Sequence, residues 1–417
     1  MRTSLPVENG NTLKTLQDFL GKLLREGVVD ALLVPMRTPS GTVTPALVTN
    51  PEFLSAADPL APVLPVNGAN LAGKLSIRQP RPRVGVVLRS CELRALVELT
   101  KLKQAGLEDM KLIAVDCAGT YSVPVYQKRV AGSGQEHPEC TDNGSKQENL
   151  WQELFNQLRA STPGVFRPEK ATPELRKACQ MCEQPVYEQA EYRIELFGSD
   201  LTKEIGLTLP DDVAQKLGYS ASSGQHRPGV LPGEHPDAKA TDAESLRHWN
   251  TPDVLARRQV VEKLVAARTA ARDSEFTDMR ARLEGKETIS GVFAACIRCH
   301  NCMTVCPICY CKTCVFKSPL FDHDPMQYMT WTRQKGALRM PSDTMLFHLT
   351  RLNHMVLSCV GCGMCTEACP AELPVGTVFR AIGQRVQATF EYLPGRSLEE
   401  PLPLITFKAD EWSEVGE

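Results

Sequence analysis

Apolar side chains at Leu13, Leu16, Phe19, Leu20, Leu23 and Leu24 recur at the three- and four-residue spacing of one helix face. Asn11 or Thr12 supplies a cap and Gly27 a stop, which predicts a helix over this stretch. VVDALLVP (28–35) then reads as a strand. The next unit is sharper. RVGVVL (83–88) is a short apolar run, ELRALVELTKLKQAG (92–106) is an amphipathic helix closing at Gly106, and KLIAVD (111–116) is apolar again. Strand, helix and strand in this order predict two parallel, neighbouring strands. YRIELFG (192–198) is a further strand candidate. The alternation predicts an α/β domain over residues 1–218.

Periodicity disappears in residues 219–250, where Gly, Pro, Ser, Asp and His dominate, so a flexible linker is expected there. From Pro252 to about Gly285 a helical pattern returns, rich in Arg, Ala and Glu, and its arginines read as a solvated face. Residues 251–417 form the predicted second, mainly α-helical domain, in which two cysteine runs flank a helical insertion at 315–358.

Composition changes this picture little. The 417 residues are 42% hydrophobic and 23% charged, and the formal net charge of −2 gives no electrostatic reason to expect nucleic acid or an anionic membrane as partner. No apolar run approaches the roughly 18–20 residues of a membrane helix, and MRTSLPVENG lacks the apolar core of an export signal. A soluble, cytoplasmic protein is expected. Cysteine is the outlier, with 16 residues, fifteen of them in clustered or patterned positions. In a reducing compartment such thiols read as metal ligands rather than disulfides.

The first run is Cys296-x2-Cys299-x2-Cys302-x3-Cys306-Pro307, and the second is Cys359-x2-Cys362-x2-Cys365-x3-Cys369-Pro370. Three thiolates on one tight loop suit three irons of a cubane, and in two-cluster ferredoxins the fourth cysteine of each run ligates the other cluster. This predicts one [4Fe–4S] cluster on Cys296, Cys299, Cys302 and Cys369, and another on Cys359, Cys362, Cys365 and Cys306. Zinc sites show paired CxxC knuckles without the trailing Cys-Pro. The long insertion between the runs resembles the α-helical ferredoxin modules of succinate dehydrogenase iron–sulfur subunits and heterodisulfide reductases. Gly361 and Gly363 let backbone N–H groups approach the second cluster, while Arg298 and His300 add polar character around the first. The first is therefore expected to have the higher potential. Cys309, Cys311 and Cys314 follow in PICYCKTC, either as ligands of a further metal centre or as unligated thiols packed nearby. Cys140, in HPECTDNG, reads as a surface thiol.

Cys91 and Cys117 each follow a predicted parallel strand, so both are expected beyond the carboxyl edge of one sheet, where open α/β sheets bind ligands. Cys179-Gln180-Met181-Cys182 adds a CxxC loop. From spacing alone these four are either a cluster site, or two buried cysteines plus a zinc knuckle or an unligated pair.

LLREGVVDALLV (23–34), GVVLRSCELRALVEL (85–99), VDC (115–117) and ACQMC (178–182) followed by FGSD resemble the beta subunit of coenzyme F-420-reducing hydrogenase and dehydrogenase, a family that includes formate dehydrogenase beta subunits. The resemblance spans roughly residues 10–200. It implies an FAD-binding α/β domain, a third [4Fe–4S] cluster on Cys91, Cys117, Cys179 and Cys182, and exchange with a two-electron carrier such as deazaflavin coenzyme F-420. It also implies a catalytic partner subunit: a formate dehydrogenase, a hydrogenase or a heterodisulfide-reductase-like protein. Ser90 stands where the family commonly has proline, and the cysteine runs follow the flavin domain rather than precede it. No GxGxxG fingerprint is present, so no FAD-contacting residue is named.

The leading expectation is thus an oxidoreductase subunit that relays electrons through flavin and clusters. A relay without flavin or substrate of its own is the second reading, and a zinc-stabilised interaction module the third. No nucleophile triad stands out.

Overall fold

The computed structural model describes residues 1–77, 82–131, 150–156, 174–219, 252–285, 288–336 and 342–404. Cys140 and positions 220–250 of the predicted linker lie outside the described residues. A mixed sheet holds β1 (Arg2–Pro6), β2 (Ala31–Arg37), β3 (Val43–Val48), β4 (Val84–Arg89), β5 (Met110–Val115), β6 (Tyr192–Glu195) and β7 (Glu204–Thr208) in the order β1-β7-β6-β5-β4-β2-β3. The central β2, β4, β5 and β6 run parallel; β3 pairs antiparallel with β2 at one edge, and at the other β7 pairs antiparallel with β6 and β1 with β7.

Apolar residues alternate between two faces. Leu32, Val34, Val87, Ile113 and Val115 pack with Leu16, Phe19, Leu20 and Leu23 of α1 (Thr12–Arg25), which Asn11 caps by accepting from the Lys14 amide. Leu33, Val86, Leu88 and Ala114 face the opposite way, against Leu93, Leu96 and Val97 of α2 (Ser90–Lys101). Burial on both sides explains why β4 reads as an unbroken apolar run.

α2 begins and ends earlier than its periodicity predicts. Glu92 accepts from the amides of Arg89 (3.0 Å) and Gly68 (2.8 Å) and fixes the first turn. The helix closes at Lys101 because Lys103 turns left-handed (φ +60°) and the Gln104 amide donates back to Leu99, so Gly106 is not the stop. Nor is its polar stripe solvated. Fully buried Glu98 accepts from the Tyr392 hydroxyl (2.5 Å) and the Gly395 amide (2.7 Å), and Arg94 donates to the carbonyls of Pro394 (2.8 Å) and Val360 (3.3 Å).

The C-terminal region is helical: α4 (Pro252–Glu284), α5 (Asn301–Thr304), α6 (Ser342–Met355), α7 (Met364–Glu367) and α8 (Val375–Thr389), with the short α3 (Lys177–Gln180) supplied by the first region. Phe276, Phe293, Phe347 and Phe379 belong to the same apolar cluster as Leu33 and Val86, so one core runs from the sheet into the cysteine-bearing helices.

The arginines of α4 correct the expectation of a solvated face. Exposed Arg258 fits it, but Arg257 and Arg268 are buried. Arg257 pairs with Asp116 and Glu188, and Arg268 donates to the Ala118 carbonyl. Strand ends leave carbonyl and carboxylate acceptors at the sheet's carboxyl edge, and this helix brings them donors.

Candidate metal centre

β4 and β5 pair in register, Arg89 opposite Val115. Cys91 and Cys117 each lie two residues beyond that pair, and therefore at one level above the carboxyl edge. The Cys117 amide donates to the Pro185 carbonyl (3.0 Å) and the Arg176 amide to the Thr120 carbonyl (2.9 Å), which stitches the CxxC loop onto the same edge. Cys91 and Cys117 are charge neighbours of one another and of Cys182, and Cys117 is also a neighbour of Cys179.

The two cysteine runs fold alike. Arg298 and His300 in the first, and Gly361 and Gly363 in the second, are all left-handed, with φ of +58°, +57°, +74° and +74°. Each second left-handed residue opens a one-turn helix, α5 or α7. Glycine adopts this backbone freely, whereas arginine and histidine do so at roughly 1–2 kcal/mol each. Arg298 is held by an ion pair with Asp343 and by donation to the Tyr328 hydroxyl (2.9 Å) and Phe321 carbonyl (3.1 Å); the His300 ring packs on Phe347. The Arg298 charge is thus paired, and its backbone amide is what faces Cys296 most directly.

Cys296 and Cys302 each neighbour Cys299 and, from the other run, Cys369. Cys359, Cys362 and Cys365 have Cys306, and all four line one cavity together with Ala178 and Met181. Cys91 in turn neighbours Cys362. The order in space is therefore sheet-edge group, second-run group, first-run group. Gly363 marks the closest approach, because a Cβ there would overlap that of Ala178, the residue before Cys179. Cys309 neighbours Cys306, Cys311 and Cys314, and Cys311 is exposed.

Burial pushes most of these thiols upward: Cys117, Cys302 and Cys309 to about 11 and Cys362 to about 12. Cys179 is lowered, since the Arg176 guanidinium and the Thr120 hydroxyl outweigh its burial. Thiols that resist ionisation on their own are suited to a metal that displaces their protons. Among the described residues no three His, Cys, Asp or Glu side chains converge on a single ion. Thiols gathered in fours are the donor set that iron–sulfur cages take.

Sequence reasoning missed the polar residues around these groups. Arg351 donates to the Cys302 sulfur (3.2 Å) and carbonyl (3.0 Å), Arg176 donates to the Cys179 sulfur (3.6 Å), and the His348 imidazole lies 3.3 Å from the Cys296 sulfur. Arg380 donates to the Met181 carbonyl and to Glu183. Only Arg176, three residues before Cys179, has a sequence position that hints at its role.

A separate polar group lies around Arg89, itself a neighbour of Cys117. Asp58 is wholly buried, its carboxylate oxygens and the Tyr126 hydroxyl have no hydrogen-bond partner of good geometry, and Arg37 and Arg89 flank them. Burial raises the Asp58 carboxyl to about 6 despite both guanidiniums. Below its unfolded pKa of 3.8 the group is neutral in both states; above it only the unfolded chain ionises readily, so stability falls until pH passes the folded value. Replacing Asp58 with Asn removes this penalty. Between about pH 5 and about pH 8 the variant is expected to gain roughly 1–2 kcal/mol on the wild type, read from anaerobic urea unfolding at both ends. Parallel curves would refute a buried, titrating carboxyl.

Residues 292–373 match the 4Fe-4S dicluster domain family. The F420-dependent formate dehydrogenase subunit beta of Methanocaldococcus jannaschii is 23% identical over 84% of this chain and 83% of its own length. The F420-dependent formate dehydrogenase 1 subunit beta of Methanococcus maripaludis is 22% identical over 91% of this chain and 89% of its own. A chain of the xenon-derivatized F420-reducing [NiFe] hydrogenase complex from Methanosarcina barkeri aligns at a TM-score of 0.38 and 13% identity, covering 67% of this chain and 92% of that one. This chain is thus similar to the beta subunits of F420-dependent formate dehydrogenases, and its residues 292–373 match a 4Fe-4S dicluster domain.

Proposed function

We propose that this chain is the electron-relay subunit of a formate dehydrogenase-like or hydrogenase-like complex in the cytoplasm, holding three [4Fe–4S] clusters and an FAD. The observation that carries this reading is the gathering of twelve cysteines from distant segments into three neighbouring groups of four. In this reading Cys91, Cys117, Cys179 and Cys182 hold the cluster at the sheet edge. Cys306, Cys359, Cys362 and Cys365 hold the middle one, and Cys296, Cys299, Cys302 and Cys369 the outer one. A cluster passes one electron at a time, and a flavin takes two and releases them singly.

The chain's own residues fix the order. Ala178 against Gly363 keeps the edge and middle groups adjacent, and Arg351 ties α6 to the outer loop. Asp58 and Tyr126, buried between Arg37 and Arg89, would be the side chains to hold a flavin's polar atoms, and Arg89 also neighbours Cys117. The two-electron carrier would be a deazaflavin of the coenzyme F-420 type, as the relatives' names suggest. At the other end, exposed Cys299 and Ile297 support electron exchange with a catalytic partner subunit. Cys309, Cys311 and Cys314 continue from Cys306 toward the surface as an accessory thiol group. No helix among the described residues is long and apolar enough to cross a membrane.

Anaerobically purified protein is expected to contain roughly twelve irons and as many sulfides, with one flavin freed by acid. Full iron without flavin would leave a relay alone, and zinc in colourless protein would overturn the proposal.

A further inference from the structure

Two buried guanidiniums lie between these thiol groups without a carboxylate of their own. Arg351 is 3% exposed, contacts the Cys302 sulfur of the outer group, and lines the cavity formed by the middle group. Its flat faces rest on Phe379 and Phe347, with ring centres 5.1 and 5.7 Å away. Its charge neighbours are Cys302, Cys306, Cys365 and Cys309. Arg176 is 4% exposed and spans the other gap: it donates to the Thr120 hydroxyl (2.8 Å), the Cys179 sulfur of the edge group and the Met364 sulfur of α7 (3.6 Å). Arg380, which neighbours Cys182 and Cys359, differs because Glu183 neutralises it at 2.8 Å.

Among the described residues neither Arg351 nor Arg176 forms an ion pair with a carboxylate. A buried cation without a counter-charge is costly. The charges around Arg351 are thiols alone, and those around Arg176 are the thiols of Cys179, Cys91 and Cys362 together with the exposed carboxylate of Glu367. Reduction adds one negative charge to a cluster, and a fixed positive charge nearby favours that change.

We propose that Arg351 is the shared counter-charge of the outer and middle clusters, and Arg176 that of the middle and edge clusters, so that each raises two reduction potentials and leaves the third alone. This rests on the three-cluster reading above. The guanidinium is a positioning and charge-supplying group and takes no part in bond chemistry. Its removal should therefore move potentials, which simple loss of packing would not do pairwise.

The test is a redox titration of the whole protein followed by electron paramagnetic resonance, with signals assigned through Cys182→Ser, Cys302→Ser and Cys362→Ser. In Arg351→Gln the outer and middle midpoints should fall while the edge midpoint stays. In Arg176→Gln the middle and edge midpoints should fall while the outer stays. Arg351→Lys, which keeps the charge, should fall between wild type and Gln. Wild-type protein lacking three clusters would sink the reading beneath this proposal. Full iron in the variants with unmoved midpoints, or with all three moved alike, would overturn the proposal itself. So would iron loss in Arg351→Lys as complete as in Arg351→Gln, since that marks a purely structural role.

Discussion

Cys306→Ala should empty the cage of the other run. Cys306 follows the first three cysteines in sequence, yet its thiol stands with Cys359, Cys362 and Cys365 in one cavity. A variant without it is expected to lose about a third of its iron. Changing an outer partner of a metal ligand commonly costs about 10–100-fold in affinity, and losing a ligand costs more. Anaerobic alkylation with mass mapping reads the outcome directly. Cys359, Cys362 and Cys365 should become reactive, while Cys296, Cys299, Cys302 and Cys369 stay protected. Because this group lies between the other two, electron flow from one end to the other should stop with it. Label appearing on Cys296, Cys299 and Cys302 instead would show that each run closes on its own fourth cysteine.

The second large effect is expected at Gly363. Its φ of +74° disfavours any side chain, at roughly 1–2 kcal/mol. Its missing Cβ also makes room for Ala178 on the facing segment. Overpacking of such a contact adds about 1–3 kcal/mol, so Gly363→Ala should weaken docking of the second run on the sheet edge by roughly 2–5 kcal/mol in all. Ala178→Gly removes the facing methyl and separates the two causes. The double variant should recover the overlap part and keep the backbone part, measured as unfolding midpoints and as electron transfer between edge and middle clusters. If the double variant is no better than Gly363→Ala, the two segments do not meet as described.

Much of this architecture was legible from spacing. The parallel β4-α2-β5 unit and the strands β2 and β6 follow from short apolar runs between helical periodicity, and they are buried on both faces. The antiparallel strands were not legible. β1 and β3 contain Pro6 and Pro45, β7 contains Gly206, and β1 finds its partner only at Thr208, far along the chain. The thiols announced themselves because a cage on one loop demands fixed intervals. Arg351 did not, because an arginine within a helix reads the same whether it meets water or sulfur. Left-handed Arg298 and His300 were similarly hidden: only the glycines at the matching positions of the second run betray the shared backbone.

Glu98 has a consequence for how the protein is made. Tyr392 and Gly395, which satisfy it, are separated from it by 294 and 297 residues. A chain leaving the ribosome therefore presents α2 with Glu98 paired only to Lys101, one turn on, long before Tyr392 and Gly395 emerge. Contacts closed over so long a loop form late. Cys91, on the first turn of that helix, should accept its share of iron only after the loop bearing Tyr392 has been synthesised, so assembly of the sheet-edge centre would be among the final steps of maturation.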